Sequence, residues 1–188
     1  MQELNDLLKG CLENKDKARE MIYKSFYGYL MGVVLRYLND RNDAEEVVND
    51  CFVKIFKHLA SFTFPEHNDE LQKAFKGWTA KISSRTSIDF LRTKKIKIYV
   101  DDIEDYQQPV TEVNVLSELH VQDILNLLNA LPETQKLIFN LYEIEGYSHD
   151  EISKLLSITG SSSRVYLTRA KNKLRELYSK TLIQSYAN

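Results

Sequence analysis

The sequence predicts an all-α protein: two small helical domains joined by an extended acidic linker, the C-terminal one a helix-turn-helix. Three observations predict it. Apolar residues recur at alternating steps of three and four through most of the 188 residues, the spacing of helices with one buried face. Only 6 glycines and 3 prolines punctuate the chain, too few for a turn-rich β architecture. Between residues 96 and 115 helical periodicity stops and acidic residues gather, which divides a first domain at 1–95 from a second at 116–188.

With 43% hydrophobic and 28% charged residues, the chain has the composition of a globular protein. No window approaches eighteen uncharged apolar residues, and Met1-Gln2-Glu3-Leu4 does not open a signal peptide. A cytoplasmic protein with no direct membrane insertion is expected. Cys11 and Cys51 lack CxxC or histidine spacing, so neither a metal site nor a cofactor is expected, and Cys51 reads as a small core residue. No Gly-rich phosphate loop, G-x-S-x-G or HExxH is present, and no catalytic constellation emerges, which argues against an enzyme.

In chain order, Leu4, Leu7, Leu8 and Leu12 give a short amphipathic start. A long helix follows from Lys17 to Leu38, where Gly28 and Gly32 either permit close helix contact or, equally well, are simply tolerated. The turn Asn39–Asn42 leads into the stretch that dominates the first domain, Asp43–Leu59. Its apolar residues at 44, 47, 48, 51, 52, 55, 56 and 59 form one stripe. Acids lead and bases trail along it, the order favoured by a helix dipole, and Asn39, Asp40 or Asn42 can cap the start. Residues 60–74, broken by Pro65, read as a loop bearing the exposed aromatics Phe62 and Phe64. A helix with Trp78 on it then runs from Phe75 to Lys95.

In the second domain one helix runs from Leu116 to Leu131. Pro132 opens the next, which continues through Ile144 to a C-cap at Gly146. Ser148-His149-Asp150-Glu151 is a capping box ahead of Ile152, Leu155 and Leu156. The four-residue turn Ser157–Gly160 carries an inward Ile158, and a basic helix follows from Ser161 to Leu174. Its outer face is expected to gather Ser162, Arg164, Val165, Tyr166, Arg169 and Lys173. A short capped helix, a tight turn and a basic second helix make a helix-turn-helix.

The net charge of −2 conceals two basic clusters. Residues 81–97 carry Lys81, Arg85, Arg92, Lys94, Lys95 and Lys97 against Asp89, and residues 160–180 carry Arg164, Arg169, Lys171, Lys173, Arg175 and Lys180 against Glu176. Two separate basic helices suggest two separate phosphate contacts. Aromatics beside the first suit stacking on unpaired bases, although Phe62 and Phe64 fit equally well as a plug at the open end of the helical hairpin. The small residues Ser161 to Ser163 let backbone amides approach phosphate, Arg164 and Arg169 suit guanine edges or phosphates, and Val165 suits a thymine methyl.

Three stretches carry a resemblance: Asp43 to Phe56, Phe75 to Arg92, and Leu131-Pro132 through Glu145-Gly146-Tyr147-Ser148 to Leu174. In this order they resemble the bacterial sigma-70 family of RNA polymerase sigma factors, and the short linker resembles its compact extracytoplasmic-function (ECF) group. The resemblance implies promoter recognition with core RNA polymerase and promoter DNA as partners, and often an anti-sigma factor that can be membrane-bound. It implies that Asp43, Glu46, Asn49, Asp50 and Lys54 dock on the polymerase. Phe62, Phe64, Trp78, Lys81, Arg85, Arg92, Lys94 and Lys95 would then capture the melted −10 strand. Ser161, Ser162, Arg164, Val165, Tyr166, Arg169, Lys171 and Lys173 would read the −35 element.

Against the family's pattern, Arg85 stands where asparagine is frequent and Ala80 where an aromatic is common. Ser163 replaces a usual core valine, and Val165-Tyr166 a usual Ser-Arg. A stand-alone helix-turn-helix regulator is the alternative reading. It leaves the aromatic loop, basic helix and acidic hairpin of the first domain without a joint purpose.

Overall fold

The computed structural model describes residues 4–65, 67–94 and 126–186, the side chains of 68, 69 and 180–186 excepted. The described residues form helices and turns with no strand among them, an all-α fold. The chain divides into two compact units, Met1–Ile96 and Lys97–Asn188.

Four helices build the first unit: α1 (Leu4–Leu12), α2 (Asp16–Val34), α3 (Arg41–His58) and α4 (Asn68–Thr93). α1 meets α2 where a Cβ on Gly10 would lie 2.8 Å from the Ala18 Cβ, so only glycine admits this approach. At Gly28 and Gly32 a Cβ would meet nothing within 4 Å, so of the two readings ordinary tolerance is the one that holds there. α2 stops at Val34, short of Leu38. The amides of Arg36 and Tyr37 turn to carbonyls three residues back, Val33 and Val34, a tightened last turn. Tyr37 and Leu38 still join the core, outside the helix. Asp40 is the residue that caps α3, its Oδ1 accepting from the Asp43 amide at 2.9 Å.

The core of this unit lies where α2, α3 and α4 pack together, with Ile22, Leu30, Val34, Ala44, Val47, Val48, Cys51, Phe75 and Ile88 fully buried. Burial pushes the Cys51 thiol up, as befits a core residue. The expected 60–74 loop is shorter than predicted, because α4 begins at Asn68. Leu71 is buried one turn before Phe75 and extends the apolar face backward. Polar Gln72 and Lys73, both exposed, mask that period in the sequence.

In the second unit, residues 126–129 are helical, and α5 (Glu133–Phe139) starts after Pro132. The expected continuous helix to Ile144 instead widens into a π-turn, Asn140–Ile144, closed by the Glu145 amide on the Asn140 carbonyl at 3.0 Å. The widening keeps Leu141 buried while Tyr142 and Ile144 emerge at 37% and 41% exposure. Gly146 follows at φ +73°, a left-handed position that suits glycine. Ser148 closes a complete capping box with Glu151 at the start of α6 (His149–Leu156). Ser157, left-handed at φ 56°, ends α6 and turns the chain through half-buried Ile158 into α7 (Gly160–Tyr186). Gly160 thus belongs to α7 and the turn is one residue shorter than predicted. Leu128, Leu131 and Ala170 form a core cluster backed by Phe139 and Leu174. The linker 96–115 and the expected helical residues 116–125 lie outside the described residues.

Candidate functional site

On α3, Glu46, Asn49 and Asp50 share an exposed stripe at helical spacing, and the Asn49 carbonyl oxygen accepts from the Tyr23 hydroxyl at 3.0 Å. The other two expected residues of this face turn toward α4. Asp43 pairs with Lys94, Nζ to Oδ1 2.5 Å, and half-buried Lys54 donates to the Thr86 hydroxyl at 3.1 Å. Val53, 65% exposed on the same stripe, is a residue the sequence reasoning missed. Its signal was there: it is the one apolar residue of Asp43–Leu59, Ala44 onward, that falls outside the 3-4 pattern. Among the described residues neither Glu46 nor Asp50 enters an ion pair, whereas Asp43, Glu45, Asp89, Glu143 and Glu176 each do.

On α4, Lys81, Arg85 and Arg92 are exposed along one side, with Arg92 Nη1 3.7 Å from Asp89 Oδ1. Lys95 lies outside the described residues. The aromatics do not form an exposed platform. Phe62 is buried, 5.5 Å from the Phe75 ring and 5.3 Å from Trp78, and Phe64 stands edge-on to it at 5.1 Å. The chain returning from the 3-10 turn Leu59–Ser61 drops Phe62 onto the open end of the α2–α4 core, where Phe75 and Phe26 already meet edge to face. Of the two readings, the plug describes Phe62. Phe64 and Trp78 remain half-buried at its rim. Ala80 is buried in the core.

On α7, Ser161, Arg164, Arg169 and Lys173 are exposed and Ser162, Val165 and Lys171 half-buried. Lys171 pairs with Glu143 at 2.7 Å and Lys173 with Glu176 at 3.2 Å. Tyr166 leaves the expected outer face. It is buried, because 163, 166, 167, 170 and 174 make one inward arc at steps of three, one, three and four. The cap of α7 is Thr159, whose hydroxyl oxygen accepts from the Ser162 amide at 3.0 Å, another residue the sequence reading passed over.

Ser163 is fully buried, and its hydroxyl lies 2.9 Å from His149 Nδ1. The imidazole in turn stacks on Tyr142, centroids 4.4 Å apart and planes at 24°. Burial pushes the His149 pKa down, and Arg164 and Lys171 add to that against Asp150. Burial likewise lowers that of Lys136, whose ammonium donates to Asn129 at 3.1 Å. Among the described residues no cluster of His, Cys, Asp or Glu is placed to hold a metal ion, and no helix is long and apolar enough to cross a membrane.

Residues 22–96 match the family described as Sigma-70 region 2, and residues 121–174 the one described as Sigma-70, region 4. The chain is 28% identical over 158 residues to the RNA polymerase sigma factor SigZ of Bacillus subtilis, covering 84% of this chain and 85% of the relative. It is 24% identical over 194 residues to the ECF RNA polymerase sigma-E factor of Haemophilus influenzae, covering 94% and 98%. To the ECF RNA polymerase sigma factor SigM of Bacillus subtilis it is 22% identical, covering 88% and 95%. A solved structure of CnrH in complex with the cytosolic domain of CnrY aligns at TM-score 0.48 and 17% identity, covering 93% of this chain and 96% of that one. With an acid-fronted hairpin and basic α4 in one matched region and a helix-turn-helix in the other, the chain belongs to the ECF-type sigma-70 family: it is a sigma factor, a transcription regulator that directs RNA polymerase to promoters.

Proposed function

We propose that the three helices divide the work of initiation. α3 docks on the coiled coil of the largest polymerase subunit through Glu46, Asn49 and Asp50, with Val53 as its apolar contact. Asp43 and Lys54 support that face from its edges. The uncompensated charge of exposed Glu46 and Asp50 carries this reading, since the paired acids nearby already have their cations. Charge complementarity at such a rim sets encounter rate and register. α4 holds the melted −10 strand by Lys81, Arg85, Arg92, Lys94 and Lys95, and half-buried Trp78 and Phe64 offer stacking to unpaired bases at about 1–3 kcal/mol per stacked base. Phe62 serves that site from beneath, as the plug on which both rings rest.

α7 enters the −35 major groove with Ser161, Ser162, Arg164, Val165, Arg169 and Lys173 outward, while Lys171 and Tyr166 set the helix from behind. These partners place the protein in the cytoplasm. An anti-sigma factor, membrane-bound or not, would silence it by covering the same faces.

Run-off transcription tests the whole. Core polymerase plus this chain, on genomic fragments of the source organism, is expected to give discrete transcripts sharing upstream elements that core alone does not give. Transcripts no different from core alone would reject the reading. Asp50→Arg is expected to abolish co-migration with core while leaving the melting temperature unchanged.

A further inference from the structure

We propose that His149 is a positioning residue for the recognition helix: its uncharged ring, stacked on Tyr142 and bonded to Ser163, holds the first turn of α7 in the register that −35 reading uses. The inference rests on the −35 reading above and adds to it a residue that need not touch DNA.

Ser163 lies in the first turn of α7, one residue before Arg164, and is fully buried. Among the described residues its hydroxyl has one side-chain partner, His149 Nδ1. Because a buried hydroxyl favours donating to the side-chain acceptor it has, we assign Nδ1 as the acceptor and the ring hydrogen to Nε2. The ring plane is fixed from the other side by Tyr142, which the π-turn brings outward to meet it. Three elements, the π-turn, α6 and α7, therefore meet at one imidazole. A valine at 163 fills such a place by packing alone; serine makes the register depend on a directional bond.

The charges around the ring keep it neutral. Arg164 and Lys171 face it from α7 and Asp150 from α6, while Glu143 on the π-turn is engaged by Lys171 at 2.7 Å. A proton on Nδ1 would reverse the bond, so that Ser163 Oγ accepts and its own buried hydrogen loses this acceptor, and would set a third cation beside two others. Stacking on Tyr142 tolerates either charge state, so the direction of the bond to Ser163 and the added charge are the pH-sensitive part. The sign follows from the lowered pKa. A detached His149 takes up its proton at higher pH than a latched one. The latch is thus complete above the ordinary histidine range of about 6.5 and weakens as pH falls from there toward the lowered value.

The test uses the full chain and a duplex that the wild-type chain selects from a random pool. From about pH 8 to about pH 5.5, wild-type binding to that duplex is expected to weaken about three- to tenfold, the equivalent of one lost hydrogen bond. His149→Asn keeps a neutral acceptor near the Nδ1 position, and should bind like wild type at the higher pH with a flat profile. Ser163→Ala should bind weakly at both, and the His149 resonance followed by NMR should titrate closer to its ordinary value than in wild type.

Circular dichroism at both pH values separates loss of register from loss of fold. Binding that tightens on acidification would mean a phosphate contact and overturn the proposal. So would equal profiles for wild type and His149→Asn, or a His149 titration that Ser163→Ala leaves unmoved. If no duplex is selected, the −35 reading itself fails, and the positioning role falls with it even where His149 titrates low.

Discussion

In α4, the hydroxyls of Thr79, Ser83, Thr86 and Ser87 each donate to the carbonyl four residues back in their own helix, at 2.9, 2.9, 2.8 and 2.9 Å. In α7, the buried hydroxyl of Ser163 reaches across to another helix. Both helices are basic outside and carry small polar residues inside, yet the inner residues do different things. Self-satisfied hydroxyls behave as compact, nearly apolar groups. They let α4 lie close against α3, where Cys51 meets Ser83 and Thr86. A hydroxyl shared with a neighbour ties one helix to the register of the next. α4 is therefore held mainly by burial, its Thr86 hydroxyl also accepting from Lys54 of α3, and α7 by burial together with the bond between Ser163 and His149.

The largest effect expected from that difference lies in α4. Phe75 is fully buried and its ring meets Phe26 at 4.9 Å, Phe62 at 5.5 Å and Trp78 at 5.9 Å. Phe75→Ala should cost about 3–5 kcal/mol in urea denaturation, because the cavity opens beneath three other rings at once. A loss under about 1 kcal/mol would mean that the plug is not packed and that burial does not hold α4.

On α7 the comparable change falls on binding instead. Arg169 is exposed, so Arg169→Ala should leave the denaturation midpoint alone and weaken the −35 duplex by about 1–3 kcal/mol. Equal affinity for selected and scrambled duplexes would remove Arg169 from base readout.

How far the sequence reveals these arrangements depends on the distance over which each is decided. The α3 stripe is readable because burial, capping and charge order all act within a few residues, and the capping box at Ser148 is readable for the same reason. Tyr166 was misplaced by one helical position: a tyrosine beside Val165 suits either face until Ser163, Leu167 and Ala170 are known to point inward together. Phe62 turns on whether the loop folds back over Phe75, which loop composition does not record. The bonds between Ser163 and His149, 14 positions apart, and between Lys94 and Asp43, 51 apart, join residues whose sequence neighbours give no hint of each other.

A paired substitution isolates the hydroxyl difference. Ser83→Ala should change stability by no more than about 0.5 kcal/mol, since the Thr79 carbonyl stays in the helix ladder without the hydroxyl. Ser163→Ala should cost about 0.5–1.5 kcal/mol, since His149 loses its partner within a half-buried site. Equal costs would erase the contrast drawn between the two helices.

The smallest effect concerns the ion pairs that tie each basic helix to its neighbour. Lys94 and Asp43 are 47% and 26% exposed at their side chains, and Lys171 and Glu143 are 30% and 32% exposed. Each pair is worth no more than about 1 kcal/mol at low salt. The Lys94 ammonium is the more open to water and ions, although it also lies 4.9 Å from the Phe90 ring. The cost of Lys94→Ala should therefore shrink in about 1 M salt, where the screening length falls to about 3 Å, more completely than that of Lys171→Ala. Denaturation of both variants at low and high salt gives the comparison directly. A Lys94→Ala penalty that survives salt would show that the α4 terminus is fixed by more than packing, and would bring α4 closer in kind to α7.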